Sequence, residues 1–273
     1  MHSAEEWKTI RDKVRPVVLE AAQHIRKNLS DLQVREKAPL DFVTNIDFEM
    51  EQYIVSALTE VFPEHRVVAE ESFAGIKATE GLLWVVDPLD GTTNVVNNLP
   101  SRAVSLALLC NGAPVVAAVC DSFHEEFFDA VRGGGARLNG RPFQLDATAA
   151  ARAPIALSSG FILWCETLPN GRPLLDLGRR YGKFRILGSQ ALQLCYVAAG
   201  RLRANISCEA KLWDDAAGAL IIEEAGGWYR DFAGQAIFPI IAGSPAASGG
   251  CLRSLAAASS TVTEIVSILG QNG

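Results

Sequence analysis

Trp84-Val85-Val86-Asp87-Pro88-Leu89-Asp90-Gly91-Thr92-Thr93-Asn94 is the stretch on which the reading of this chain turns. Leu82-Leu83-Trp84-Val85-Val86 is the unbroken apolar run of a buried strand, and two acids stand where it ends. Gly91-Thr92-Thr93-Asn94 can then open a helix or helical turn. Asp87 and Asp90 can therefore present carboxylate oxygens to one site. Acidic clusters that offer only oxygen suit hard cations such as Mg2+. Backbone N–H groups at Gly91 and Thr92, at the start of a helical turn, would point outward as an anion site. A cation site beside anion-binding amides reads as a phosphate site.

Two further acid pairs lie at element ends. Glu70-Glu71 closes the short apolar run Val67-Val68-Ala69, and Asp214-Asp215 falls in the first turn of a helix predicted over Trp213–Ala225. Upstream, three- and four-residue spacing predicts amphipathic helices over 5–29 and 46–61, the second stopped by Pro63. Downstream, Arg102–Cys110, Pro114–Cys120 and Glu126–Val131 read as strands, with Asn111-Gly112 as a turn. The later part predicts strands at Ile155–Ser158, Phe184–Leu187, Ala204–Cys208, Trp228-Tyr229 and Ala246–Ser248. Helices are predicted over 173–181, from Ser189 as cap to about Ala199, and over Ser260–Leu269. Strands and helices mix without a steady β-α-β rhythm, which argues for layered α/β with mixed sheets. The Ala147–Ala153 stretch is the expected seam between halves of about 1–150 and 151–273 within one domain.

The chain has 273 residues, 49% of them apolar, enough for a sizeable core. Its 25 Lys and Arg stand against 31 Asp and Glu, a net charge of −6 that argues against binding a nucleic-acid polymer. No apolar run approaches a membrane span, and the start Met1–Trp7 does not read as a signal peptide. The six cysteines form no Cys-x-x-Cys pair and are expected to be reduced thiols in a cytoplasmic protein.

The chain resembles the inositol monophosphatase family of Mg2+-dependent, lithium-sensitive phosphatases. The resemblance is carried by Asp87-Pro88-Leu89-Asp90-Gly91-Thr92-Thr93-Asn94 and by Trp213-Asp214-Asp215-Ala216-Ala217-Gly218, continuing to Glu224-Ala225-Gly226-Gly227. Val43-Thr44-Asn45-Ile46-Asp47, Ala69-Glu70-Glu71-Ser72 and Arg132–Gly140 match other family stretches, so it runs from about residue 5 to 270. It implies an αβαβα sandwich of the inositol monophosphatase and fructose-1,6-bisphosphatase type, and a homodimer. It implies that Glu70, Asp87 and the Leu89 carbonyl hold one Mg2+ and that Asp87, Asp90 and Asp214 hold a second, with a weaker third near Glu70. Mn2+ is expected to substitute and Li+ to inhibit. Gly91 and Thr92 amides should grip the phosphate. Glu70, with Thr92 and Asp47 behind it, should position the attacking water. Ser189, Ser207 and Glu209, beside Asp90 and Asp214, are expected on the substrate side.

The departures lie around the leaving group. Ser207 stands where inositol-selective members carry a glutamate, with Glu209 two residues on. Arg203 replaces an acid, Val95-Val96-Asn97 replaces Phe-Val-His, and Phe161–Asn170 departs from the family pattern. The expectation is a phosphomonoesterase acting on a small polyol or sugar phosphate. Arg201 and Arg203 raise a second possibility, a substrate with another anionic group such as a nucleotide 3′(2′),5′-bisphosphate. Histidinol phosphate and fructose 1,6-bisphosphate stay open, as does a silent binding or regulatory homologue.

Overall fold

The structure is a computed structural model that describes residues 3–39, 41–168 and 172–270. Met1, His2 and Asn170, named above, lie outside the described residues. Helix α1 (Ala4–Lys27) starts in a capping box, with Ser3 Oγ accepting from Glu6 N and the Glu6 carboxylate accepting from Ser3 N. Its stripe of Val14, Val18, Ala21 and Ile25 is buried. A hairpin of β1 (Val34–Ala38) and β2 (Asp41–Thr44) follows, and then α2 (Asn45–Val61). The hairpin has no counterpart in the sequence reading, because β1 is exposed at all five positions and carries no alternation.

Among the described residues, a seven-stranded sheet runs in chain order. It comprises β3 (Arg66–Ala69), β4 (Leu82–Asp90), β5 (Ala103–Cys110), β6 (Ala113–Asp121), β7 (Glu126–Val131), β8 (Gly135–Leu138) and β9 (Arg141–Phe143). β3 and β4 are parallel, and the rest are antiparallel. Short helices α3 (Thr92–Val96) and α4 (Ala147–Ala150) follow β4 and β9.

The second sheet has β10 (Ile155–Leu157), β11 (Phe184–Arg185), β12 (Ala204–Ser207), β13 (Trp228–Arg230) and β14 (Ser254–Ala257), in the order β11-β10-β12-β14-β13. Its helices are α5 (Ser159–Glu166), α6 (Arg172–Tyr181), α7 (Gln190–Ala198), α8 (Leu212–Glu224) and α9 (Ser259–Gly270).

Three buried clusters define the layers. α1 and α2 cover one face of the large sheet. α7 and α8 fill the space between the sheets. α5, α6 and α9 cover the outer face of the small sheet. The result is an αβαβα sandwich. β4 shows why the pattern works: Trp84 and Val86 enter the first core, while Leu83 and Val85 enter the second. A strand covered on both faces reads as a continuous apolar run. α8 lies between two sheets and is buried on nearly every side.

Three expectations are corrected, and one helix not foreseen is added. β4 continues through Asp87-Pro88-Leu89-Asp90 instead of stopping at Val86. Ala246–Ser248 is a 3-10 turn, and the neighbouring strand is Ser254–Ala257. The strand at 184 spans two residues only. Residues 159–166 form a helix, capped by Ser158, whose Oγ accepts from Phe161 N at 3.1 Å. Among the described residues, no helix is long and apolar enough to cross a membrane.

Candidate active site

The cleft forms where a bulge in β4 meets the ends of α7 and α8. Asp87 pairs with Ser105 and Asp90 with Ala103, so β4 carries one residue more than β5 across this step. Pro88, which has no N–H for the ladder, sits in that bulge. Gly91 follows with φ +93°, and a Cβ there would lie 2.8 Å from the Ser101 carbonyl oxygen. Both features turn the chain sharply into α3, whose first amides have no helical partner.

Glu70, Asp87 and Asp214 each place a carboxylate oxygen within 4.8 Å of the other two. They come from the residue after β3, from the start of the bulge in β4 and from the first turn of α8. The Asp87 carboxylate accepts from Leu89 N at 3.0 Å, and that of Asp214 accepts from Lys211 N at 2.6 Å. Asp90 lies outside this closest group. It accepts from Ser189 Oγ at 2.6 Å, Ala191 N at 2.7 Å and Gln190 N at 3.1 Å. Ser189 thus occupies the N-cap position of α7, but its hydroxyl goes to Asp90 instead of capping its own helix.

Asp47 accepts from Thr44 N and Thr44 Oγ1 at 2.8 and 2.5 Å, and from Thr92 Oγ1 at 2.9 Å. Thr92 Oγ1 also lies 3.1 Å from the Leu89 carbonyl oxygen. On the open side, the cleft is lined by Ser158, Ser159, Ile186, Gln190, Ser207 and Glu209. Ser207 is fully buried, and its Oγ accepts from Glu209 N and Ala210 N. The Glu209 carboxylate accepts from Gly160 N at 2.7 Å.

The acids are short of positive charge. Burial, reinforced by their mutual repulsion, raises Asp87 and Asp214 well above the aspartate range. Burial pushes Asp90 up to about 6, against the pull of its three hydrogen bonds. Burial and then the charge of Glu71 push Glu70 up to about 7, with Lys37 opposing. Lys37 reaches over from β1 to within 3.0 Å of Glu71 and 3.6 Å of Glu70. The sequence reading missed Lys37 because it missed the hairpin. Carboxylates that repel each other at this range, Asp87 buried and Glu70 and Asp214 half-buried, fit a divalent cation, which would satisfy all of them at once.

The two arginines considered for a second anion are engaged elsewhere. Arg201 forms a two-pronged ion pair with Glu126 and lies over the Tyr196 ring at 5.1 Å. Arg203 donates to the Ala151 carbonyl at 2.8 Å, lies 3.6 Å from Glu264 and covers the Tyr181 ring. Neither lines the cleft.

Fold and cleft define a layered α/β protein whose buried acids suit divalent cations beside an anion-binding turn. The chain belongs to the inositol monophosphatase family, whose model matches residues 6–266. A Pasteurella multocida protein named Nus factor SuhB is 40% identical over 206 residues, covering 75% of this chain and 77% of that protein. Among solved structures, the extragenic suppressor protein SuhB of Bartonella henselae has a TM-score of 0.80 at 26% identity, covering 96% of this chain and 98% of that one. A structure described as an IMPase/NADP phosphatase complexed with Mg2+ and phosphate has a TM-score of 0.83 at 25% identity, covering 98% and 97%. Family membership supports Mg2+-dependent phosphatase chemistry.

Proposed function

We propose that this protein is a Mg2+-dependent phosphomonoesterase that releases phosphate from a small polyol or sugar phosphate. The observation that carries the reading is the convergence of Glu70, Asp87 and Asp214 within 4.8 Å, beside the Gly91–Thr92 turn. Glu70, Asp87, the Leu89 carbonyl, Asp90 and Asp214 would hold two Mg2+, with a third near Glu70. Bound Mg2+ neutralises phosphoryl oxygens, lowers the pKa of water and stabilises the departing alkoxide.

The chain's own groups do the rest. Gly91 and Thr92 amides orient the phosphate. Thr92 Oγ1 spends its proton on Asp47, which leaves its lone pairs to receive one from the attacking water. Asp47, raised by burial, is the better acceptor behind it. Glu70 orients that water.

The open side offers hydroxyls, amides and the carboxylates of Glu209 and Asp214. Among the described lining residues there is no Lys or Arg. This supports a neutral polyol leaving group over a bisphosphate. Ser189 also lines the cleft, with its hydroxyl committed to Asp90. Mn2+ substitution, Li+ inhibition and a homodimer follow from the family resemblance, a cytoplasmic location follows from the cysteine usage, and all four belong to this proposal.

The test is phosphate release from inositol 1-phosphate, histidinol phosphate, fructose 1,6-bisphosphate and adenosine 3′,5′-bisphosphate, with Mg2+ and with chelator. Mg2+-dependent release, fastest on the monophosphorylated polyol, is expected. No release from any of them, with Mg2+ bound, overturns the reading. A second reading, a binding protein that keeps the pocket, draws on the relatives named Nus factor. It predicts Mg2+ binding without turnover in that assay.

A further inference from the structure

We propose that Asn94 is a positioning residue: it locks the phosphate-binding turn to the second half of the chain and so sets the affinity of the acid cluster for divalent cations. The proposal rests on the metal-dependent reading of the cleft and goes beyond it to a residue that touches neither metal ligand nor phosphate.

Asn94 lies in α3 and is 7% exposed. Its Nδ2 donates to the Ser101 carbonyl at 2.6 Å and to the Leu187 carbonyl at 2.8 Å, while its main-chain carbonyl accepts from Leu99 N at 2.8 Å. One amide NH2 carries two protons, and here each has a carbonyl. The Leu187 bond spans 93 residues and crosses between the halves.

Leu187 leads directly into Gly188-Ser189-Gln190-Ala191, and the last three residues hold Asp90. Nothing bulky separates the parts. A Cβ on Gly188, whose φ is +73°, would stand 2.9 Å from Asn94 Nδ2. A Cβ on Gly91 would stand 2.8 Å from the Ser101 oxygen and 3.2 Å from the Gly188 oxygen. The turn, the 97–102 loop and the approach to α7 thus meet backbone to backbone, with the Asn94 amide as the clasp.

If the clasp opens, the groups around Asp90 shift relative to β4. Asp90 then leaves the place from which it faces Asp87 and Asp214. The defect would appear first in metal affinity, because a bound cation needs several carboxylates in one fixed arrangement. Aspartate matches asparagine in shape, yet it brings no donor and sets a charge against two carbonyl oxygens.

The experiment is isothermal titration of Mg2+ into the wild-type protein, Asn94→Asp, Gly188→Ala and Asn97→Ala, with phosphate release measured across a Mg2+ series. Asn97 is the control: it lies next to α3, is exposed, and donates to Thr93 O at 2.8 Å. Asn94→Asp and Gly188→Ala should bind Mg2+ about 10–100-fold more weakly. Saturating Mg2+ should restore most of their turnover, so that the Mg2+ requirement moves further than kcat. Asn97→Ala should match wild type.

Wild-type affinity in Asn94→Asp overturns the proposal. So does loss of the cooperative thermal transition in that variant, which would assign Asn94 a general structural role. If wild type binds Mg2+ without turnover and the variants bind it weakly, the phosphatase reading falls and the positioning role stands. If wild type binds no Mg2+, both fall.

Discussion

Ser189 Oγ donates to Asp90 Oδ2 at 2.6 Å, across 99 residues of sequence. The amides of Gln190 and Ala191 donate to the same carboxylate. Asp90 therefore caps α7 from the other half of the molecule. Its charge complements the positive end of that helix, which is where a carboxylate is most stable. One side chain thus closes the two halves on each other and stands ready as a candidate metal ligand.

Asp90→Asn tests both roles. Three donors converge on the carboxylate, and an amide can answer only some of them. Phosphate release should fall by about 100-fold or more, as when a metal ligand or its immediate support is lost. The melting temperature should drop by about 2–4 °C, the size of one lost cap. Calorimetry with a turnover assay checks this, and unchanged turnover would remove Asp90 from the mechanism.

Metal-free stability should fall as pH rises. Glu70 at about 7 and Asp90 at about 6 bind protons in the folded state that the unfolded chain, at about 4, has already released. Folding then takes up protons between about pH 4 and 7, so stability declines through that window. In chelator, the melting temperature should be several degrees lower at about pH 8 than at about pH 5. Mg2+ should raise it at the alkaline end and act less at the acid end, where protons compete for the same oxygens. A metal-free melting temperature that climbs with pH would contradict this account.

Gly218→Ala in α8 should destabilise, although alanine is the better helix former by about 1 kcal/mol. A Cβ there would meet Leu194 Cβ and Cδ1, both at 2.5 Å, where α7 packs on α8. Overpacking of this kind costs about 1–3 kcal/mol and should exceed the gain in propensity. Urea unfolding decides, with a lower midpoint and an unchanged slope as the expected result.

Tyr229→Phe should separate stability from turnover. The Tyr229 hydroxyl donates to Asp215 at 2.7 Å, and Asp215 is fully buried and also accepts from Gln190 Nε2 at 2.7 Å. Removing one donor from a buried carboxylate costs about 1–3 kcal/mol. Tyr229 touches none of Glu70, Asp87, Asp90 or Asp214 through its hydroxyl, so kcat should stay within about threefold at saturating Mg2+. A selective loss of kcat would instead place Asp215 in the chemistry.

Much of this molecule was readable before its structure. The double-sided burial of β4 is written as Leu82–Val86, because a strand covered on both faces needs apolar residues at every position. The acids Glu70 and Asp214 stand at element ends and Asp87 at the bulge of β4, where a cleft can form. α8 reads as a helix in sequence and is one in space.

Other features depend on contacts between distant parts of the chain. β1 is exposed and without pattern, so Lys37 could not be placed beside Glu70 and Glu71. Arg201 and Arg203 have the charge to bind an anion, but Glu126 and Glu264 claim them. Ser189 has the right chemistry for a local cap, but Asp90 offers a charged partner and takes its hydroxyl. Sequence by itself determined the buried strands and helices, the turn and the acids beside it, because those follow from local periodicity and residue chemistry, while the αβαβα order of the layers was implied by the family resemblance. The tertiary structure alone decided which donor meets which acceptor, since buried polar groups must find partners wherever the fold brings them together.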